Sequence, residues 1–370
     1  MNIKFVPFYF PQFHAIPEND NWWGEGFTDW NWVKEAKPLF KDHYQPRIPA
    51  NGYYDLRNAD VISTQISLAK DYNIYGFNFY HYWFDGKLML ETPLENFIEE
   101  NKDLAFCVTW ANETWTRRWL GKVNDVLIEQ KHSANKQVWN KHLAYLQRLF
   151  TNENYIRINN RPVFVIYRPD LISNMKALMD YYNESTMQKI GHRIYWIGAK
   201  AYESLNNQWE KLVDGILRFE PRYSMNTIHN GNVVLHNVDK VLRSLPERLQ
   251  IPLGELKAKL STLYTVYDYR KTCEAILKKN KQTIQHKHKI YQAAFVGWDN
   301  TPRYGKRSKI FARSNPENFR YLISNLIEQE SAKGNEFLFI NAWNEWSESA
   351  YLEPDNVYGD AYLSVLKSLS

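Results

Sequence analysis

Cysteine is almost missing from these 370 residues: Cys107 and Cys273 are the only two, too few for a disulfide framework and too distant in sequence for a CxxC metal site. No stretch approaches the ~18 apolar residues of a membrane span. The opening run from Ile3 to Phe10 is broken at once by Pro11-Gln12-Phe13-His14 and lacks a small-residue cleavage site, so it reads as a strand rather than a signal core. These absences predict a soluble, unexported protein in a reducing cytoplasm. An excess of either charge is also lacking: 46 Lys and Arg against 41 Asp and Glu leave +5, far from a dedicated nucleic-acid binder. Glycine-rich phosphate loops of the GxGxxG or GxxxxGK[ST] kind do not occur, nor does an Asp-x-Asp pair, so no cofactor is expected and an ordinary nucleotide-sugar transferase is disfavoured. His286 and His288 lie in the lysine-rich segment Lys278–Lys289 without a carboxylate at a familiar spacing, and no metal site is expected there. That segment reads as a solvated face; its functional reading is attraction to sugar-linked phosphates or peripheral contact with an anionic inner-membrane surface.

What the chain does have is aromatic side chains, 16% of the total, with 14 Trp and 25 Tyr. Their flat apolar faces and polar edges suit them to sugar rings as well as to a core. Apolar, β-branched or aromatic runs recur at Ile3–Phe10, Ile74–Tyr80, Leu104–Trp110, Pro162–Tyr167, Arg193–Gly198, Asp214–Phe219, Tyr291–Val296 and Glu336–Ile340. Helical patterns separate most of them: Ala59–Tyr72, Leu90–Asn101, Asn135–Phe150, Leu171–Tyr182, Leu205–Leu212 and Asn315–Ser331, with a closing one at Gly359–Leu369. Eight strands alternating with helices predict an α/β protein, a single (β/α)8 TIM barrel over residues 1–370. Asp20–Asn58 reads as a long first loop over the barrel mouth. Residues 223–290 read as a helical insertion between strands 6 and 7, with patterns at Leu253–Leu263 and Thr272–Lys279.

In this fold the active site sits at the C-terminal ends of the strands. The residues found there include Gln12 and His14, His81 and Tyr82, Trp110 with Asn112 and Glu113, Arg168, Lys200, Glu220, Trp298 and Asp299, and finally Asn341, Trp343, Asn344, Glu345 and Glu348. Glu345 and Glu348 stand three apart, close enough on a helical turn to push each other's pKa values apart. Work on a glycosidic bond needs one protonated and one ionised carboxyl group. The alternative for this pair is a helix-start cap, and for His81 a satisfied core histidine.

Longer motifs carry a resemblance. Pro11-Gln12-Phe13-His14, Trp22-Trp23-Gly24, His43-Tyr44-Gln45-Pro46, Tyr80-His81-Tyr82-Trp83-Phe84, Trp110-Ala111-Asn112-Glu113, Trp298-Asp299-Asn300-Thr301-Pro302-Arg303 and Asn341-Ala342-Trp343-Asn344-Glu345-Trp346 together resemble the WbsX-type family. These bacterial proteins are related to glycoside hydrolase family 99 and are met in O-antigen and capsule gene clusters. The resemblance implies the same barrel and a glycan substrate, an oligosaccharide or a lipid-linked glycan. By analogy with the family 99 endo-mannosidases, whose Trp-Asn-Glu-Trp-x-Glu motif maps onto Trp343–Glu348, Glu345 would deprotonate the sugar's own 2-hydroxyl. Glu348 would protonate the leaving oxygen, with retention of configuration. Ser347 and Ser349 depart from the family pattern, the latter standing where glycine is common. The expected activity is glycosyl transfer in surface-polysaccharide biosynthesis; the alternatives are an endo-acting hydrolase of mannose-like glycans and a non-catalytic glycan-binding barrel.

Overall fold

The computed structural model describes residues 3–117, 122–203, 207–228, 264–282 and 288–370. Among them, eight parallel strands follow the eight apolar runs: β1 (Lys4–Tyr9), β2 (Gly76–Phe84), β3 (Ala105–Trp110), β4 (Arg161–Ile166), β5 (Tyr195–Lys200), β6 (Gly215–Arg218), β7 (Lys289–Gln292 and Ala294–Phe295) and β8 (Phe337–Asn341). Each pairs with its successor and β8 returns to β1, so the sheet closes into the expected barrel. The seventh strand does this in two pieces on either side of Ala293: the first pairs with β6, the second with β8.

Helices cover the outside: α1 (Ala59–Asp71), α2 (Thr92–Glu100), α3 (Lys136–Phe150), α4 (Met175–Ile190), α5 (Tyr269–Lys281), α6 (Pro316–Ala332) and α7 (Ala361–Lys367). Asparagine starts three of them: Asn58, Asn135 and Asn315 each accept a backbone N–H from the first turn, which is the role of a short polar side chain at an N-cap. The helix expected over Leu171–Tyr182 is displaced toward the C-terminus. Pro169–Leu171 forms a 3-10 turn, and α4 runs on until Gly191 ends it at φ +77°. In place of a helix at Leu205–Leu212 there is a 3-10 turn over Gln208–Lys211; residues 204–206 lie outside the described residues.

Of the segment 223–290, the Thr272–Lys279 pattern falls inside α5, which packs on α6 through Asn280, whose amide donates to Gln329 and Glu330 at 2.9 Å each. The Leu253–Leu263 pattern and His286 lie outside the described residues. Lys279 of the basic run turns inward, over the Tyr223 ring at 4.3 Å. No helix among the described residues is long and apolar enough to cross a membrane.

Alternation along the strands decides what reaches the barrel interior. On β2, Tyr80 and Tyr82 face inward while Phe77, Phe79 and Trp83 meet other rings in the sheet-to-helix layer; Phe77 and Phe79 both pack on Phe97 of α2. Inside, Phe8 lies beneath Tyr80 and Phe219, with ring centroids 5.4 and 5.2 Å away, and Tyr167 meets Phe219 edge-on. An aromatic plug thus closes the barrel below its mouth.

The barrel is tight enough at Gly76 that a Cβ there would lie 2.1 Å from the Ala105 carbonyl oxygen on β3. Both atoms belong to paired backbones, so neither can yield cheaply. Gly76→Ala should therefore cost about 1–3 kcal/mol of stability by overpacking. Denaturant unfolding checks this; an unchanged midpoint would show that the β2–β3 spacing is looser than described.

Candidate active site

β8 ends at Asn341, and the chain turns back on itself in a small hairpin pairing Asn344–Glu345 with Ala350–Tyr351. The turn of this hairpin is a 3-10 segment over Trp346–Glu348, closed by Ser349 at φ +50°. Glycine takes that conformation freely and serine pays about 1 kcal/mol. Asn344 fixes the hairpin to the end of β1: its side-chain oxygen accepts the Phe10 N–H at 2.7 Å and its amide donates to the Phe10 carbonyl at 3.0 Å. The turn leaves Glu345 and Glu348 on one wall of a cavity of about 170 Å³ at the C-terminal mouth of the barrel. A cavity of ~150 Å³ accepts a benzene-sized ring, so this one has room for a single six-membered ring at its floor.

One guanidinium organises the charges. Arg303, from the short helix Thr301–Tyr304 after β7, is buried; its Nη2 lies 3.0 Å from Asp29 and 2.9 Å from Glu345, and its Nη1 lies 3.1 Å from Glu348. Arg222, after β6, approaches Glu348 from another side at 3.5 Å. Burial pushes the Glu345 carboxyl up to about 8; Arg303 pulls it down, and the neighbouring Glu348 and Asp29 charges push it up further. At neutral pH the pair therefore retains one proton.

The rest of the wall is aromatic and polar: Phe10, Gln12, Tyr80, Tyr82, Glu113, Trp115, Tyr167 and Tyr304 among others. Burial raises Tyr80, Tyr82 and Tyr167, so all three are neutral hydroxyl donors at pH 7. Trp23 and Trp115 form the outer rim, Trp115 standing on the hairpin Trp115–Arg117 with Lys122–Ile128. Glu113 is tied at 2.7 Å to Arg168, which is itself held by Asp170.

Of the residues expected at the strand ends, Gln12, Tyr82, Glu113, Glu345 and Glu348 line this cavity, and the others stand outside its lining. His81 shares the outward face of β2 with Phe79 and Trp83, and there its ring nitrogen meets His142 of α3 at 2.9 Å. Trp110 is its register partner on β3 and points the same way, donating to the Trp83 carbonyl. Asn112 bridges to the Arg168 backbone through both amide atoms, which places Arg168 behind Glu113 rather than in the cavity. Asp299 accepts from Gln45 at 2.6 Å and from Thr301, and lies 2.7 Å from His43; it anchors the long first loop. Its backbone N–H also donates to the Glu348 carbonyl. Trp298 is buried beneath the Arg222 guanidinium. Trp343 packs on Phe77, and His14 is buried away from the cavity, its pKa lowered by burial to about 4. Arg303, Arg222, Tyr80 and Tyr167 line the cavity without standing among the strand-end candidates, and strand alternation separates Tyr82, which lines it, from His81, which does not.

A family model described as Glycosyltransferase WbsX matches residues 5–366. The chain is 34% identical over 370 residues to protein WxcX of Xanthomonas campestris pv. campestris (strain B100), covering 98% of this chain and 49% of that protein. It thus spans about half the length of the curated relatives it matches. Among solved structures, the GH99 endo-alpha-mannosidase from Bacteroides thetaiotaomicron aligns with TM-score 0.55 at 13% identity, over 98% of this chain and 95% of that one. A glycoside hydrolase-like protein aligns with TM-score 0.56 at 14% identity, over 100% and 94%. At such identities the likeness is one of fold.

The relocation of His81 has a measurable consequence. Burial lowers its pKa to about 3, whereas in the unfolded chain it titrates near 6.5. As pH falls below 6.5 the unfolded state takes up a proton that the folded state refuses, so stability is lost. Comparing pH 7.5 with 5.5, His81→Phe should shrink the stability difference by about 1.4 kcal/mol relative to the native protein. An unchanged difference in urea unfolding would place His81 in contact with solvent.

Proposed function

Because the chain belongs to the WbsX glycosyltransferase family, we propose that Glu345 and Glu348 together break and re-form a glycosidic bond, with retention, in bacterial surface-polysaccharide assembly. The observation that carries this reading is the pair itself: two buried glutamates sharing one arginine and one proton, facing a ring-sized, aromatic-walled cavity at the barrel mouth. A helix-capping pair would point at backbone N–H groups; these point at Arg303 and the cavity.

In the proposed reaction the Glu345 carboxylate takes the proton of the sugar's 2-hydroxyl, and that oxygen attacks the anomeric carbon. The bond to the leaving oxygen breaks as Glu348 protonates it. The acceptor hydroxyl then gives its proton to Glu348 and opens the anhydro-sugar, and the 2-oxygen recovers its proton from Glu345. Two inversions give retention. Burial makes Glu345 a stronger base than an ordinary carboxylate, and the neutral phenols of Tyr80, Tyr82 and Tyr167 supply donors to sugar hydroxyls. A cytoplasmic location agrees with Cys107 and Cys273 being buried free thiols. A sugar acceptor gives transfer and water gives hydrolysis; the barrel shared with an endo-alpha-mannosidase keeps mannose-like glycans the first hydrolytic candidates.

The reading is tested by screening the protein against aryl glycosides and lipid-linked oligosaccharides, with mass spectrometry of products. On a substrate it turns over, Glu348→Gln should lose roughly 10²–10⁴-fold in rate, with partial recovery when the leaving group needs no proton. Glu345→Gln should show no such recovery. Full turnover by both variants would refute the two-glutamate mechanism; glycan binding without turnover by the native protein would favour a binding barrel.

The pH dependence follows from the shared proton. The reacting form carries one proton on the pair, on Glu348, in exchange with the form that carries it on Glu345, and the last proton leaves with a value near 8. The kcat/KM should stay high up to about pH 8 and fall tenfold per unit above it. A fall beginning near pH 5, as for an ordinary carboxyl pair, would show that burial does not control Glu345.

A further inference from the structure

Between Glu345 and Glu348 in the chain stands Trp346, whose indole faces away from the active cavity. Its Nε1 donates to Oε2 of Glu353 at 2.7 Å. Glu353 is buried and accepts two more hydrogen bonds, from Tyr54 Oη at 2.7 Å on the same oxygen and from Gln65 Nε2 at 2.6 Å on the other. Gln65 in turn accepts from Tyr9 of β1 at 2.6 Å. Every donor in this chain points toward the Glu353 carboxylate, which joins the hairpin turn to β1, α1 and the first loop.

The indole is fully buried: one face stacks on Tyr351, with ring centroids 3.7 Å apart, and Trp30 meets it at 5.9 Å. On another side, Trp346 and Glu353 wall a second cavity of about 290 Å³, lined also by Gln65 and Leu68 of α1. A turn of three residues has little stiffness of its own, and a released ring would have space to enter. We propose that Glu353 is a positioning residue: through Trp346 it fixes the turn that aims Glu345 and Glu348 at the substrate. This rests on the reading of those two glutamates as the reacting pair. Burial pushes the Glu353 carboxyl itself up to about 7, while the hydrogen bonds from Tyr54, Trp346 and Gln65 pull the other way. The largest Coulomb influences on Glu345 come from Arg303, Glu348, Asp29 and Arg222, and Glu353 reaches the turn through its hydrogen bond from Trp346.

The test uses Glu353→Gln, which keeps shape, and Trp346→Phe, which keeps the ring and removes only the N–H. Carboxyl NMR of protein labelled in glutamate follows the titration of Glu345 without any substrate. Both variants should retain native circular dichroism and move that titration by at least about half a pH unit, since the distances from Glu345 to Arg303 and Glu348 change. On a glycan the native protein turns over, each should lower kcat roughly tenfold or more with KM within about twofold, as misaimed reacting groups do. The double variant should be no slower than the slower single one. An unmoved Glu345 titration in both variants, or kcat losses that multiply, would overturn the positioning role. If no glycan is turned over, the functional reading fails on that result, and the titration alone decides for or against Glu353. Should Glu353→Gln not fold, Trp346→Phe carries the same test.

Discussion

The site depends on one buried arginine holding three carboxylates. Two like charges 4 Å apart at an effective dielectric of 20 repel by about 4 kcal/mol, and burial adds a desolvation cost for each. Arg303 offsets this for Asp29, Glu345 and Glu348 together, with Arg222 adding a second positive charge beside Glu348. Two guanidiniums do not neutralise three carboxylates in a buried space, and the balance is met by a proton on the glutamate pair. That imbalance is what gives the site a group that is neither an ordinary acid nor an ordinary carboxylate at neutral pH.

Around this core of charge, the barrel supplies position from separate parts of the chain. Asp29 comes from the first loop, Arg222 from beyond β6, Arg303 from beyond β7 and the glutamates from beyond β8. Asp299 and Asn344 do not meet the cavity, yet each ties two of these segments together: Asp299 joins the first loop to the turn, and Asn344 joins the turn to β1. Tryptophan is divided in the same way. Trp23 and Trp115 line the cavity and are half-buried, while Trp298, Trp343 and Trp346 are buried supports.

Much of this was legible in the sequence. All eight strands coincide with apolar runs, because a parallel barrel strand is covered on both sides and needs apolar residues without interruption. That same continuity hides which side each residue faces, so the sequence does not separate His81 and Trp110 from Tyr80, Tyr82 and Ala111, which line the cavity. The glutamate pair stood out through its spacing in a tryptophan-rich motif. Arg303 did not, since an arginine after a strand is indistinguishable from a solvated one until the fold brings three acids around it. The split in β7 at Ala293 and the displaced start of α4 are local adjustments of pairing and packing that carry no signal in composition. The left-handed turn at Ser349 was announced only indirectly, as a departure from a position where glycine is common.

The most direct measurement is the configuration of the first product formed. Proton NMR of the anomeric region, recorded early in the reaction of the native protein with a glycan it turns over, distinguishes retention from inversion before mutarotation. Two successive displacements at the glutamate pair predict that the first anomer formed carries the configuration of the bond that was broken. An inverted anomer would contradict the account, because a single displacement needs no attack by the substrate's own hydroxyl and no return of the proton through Glu348.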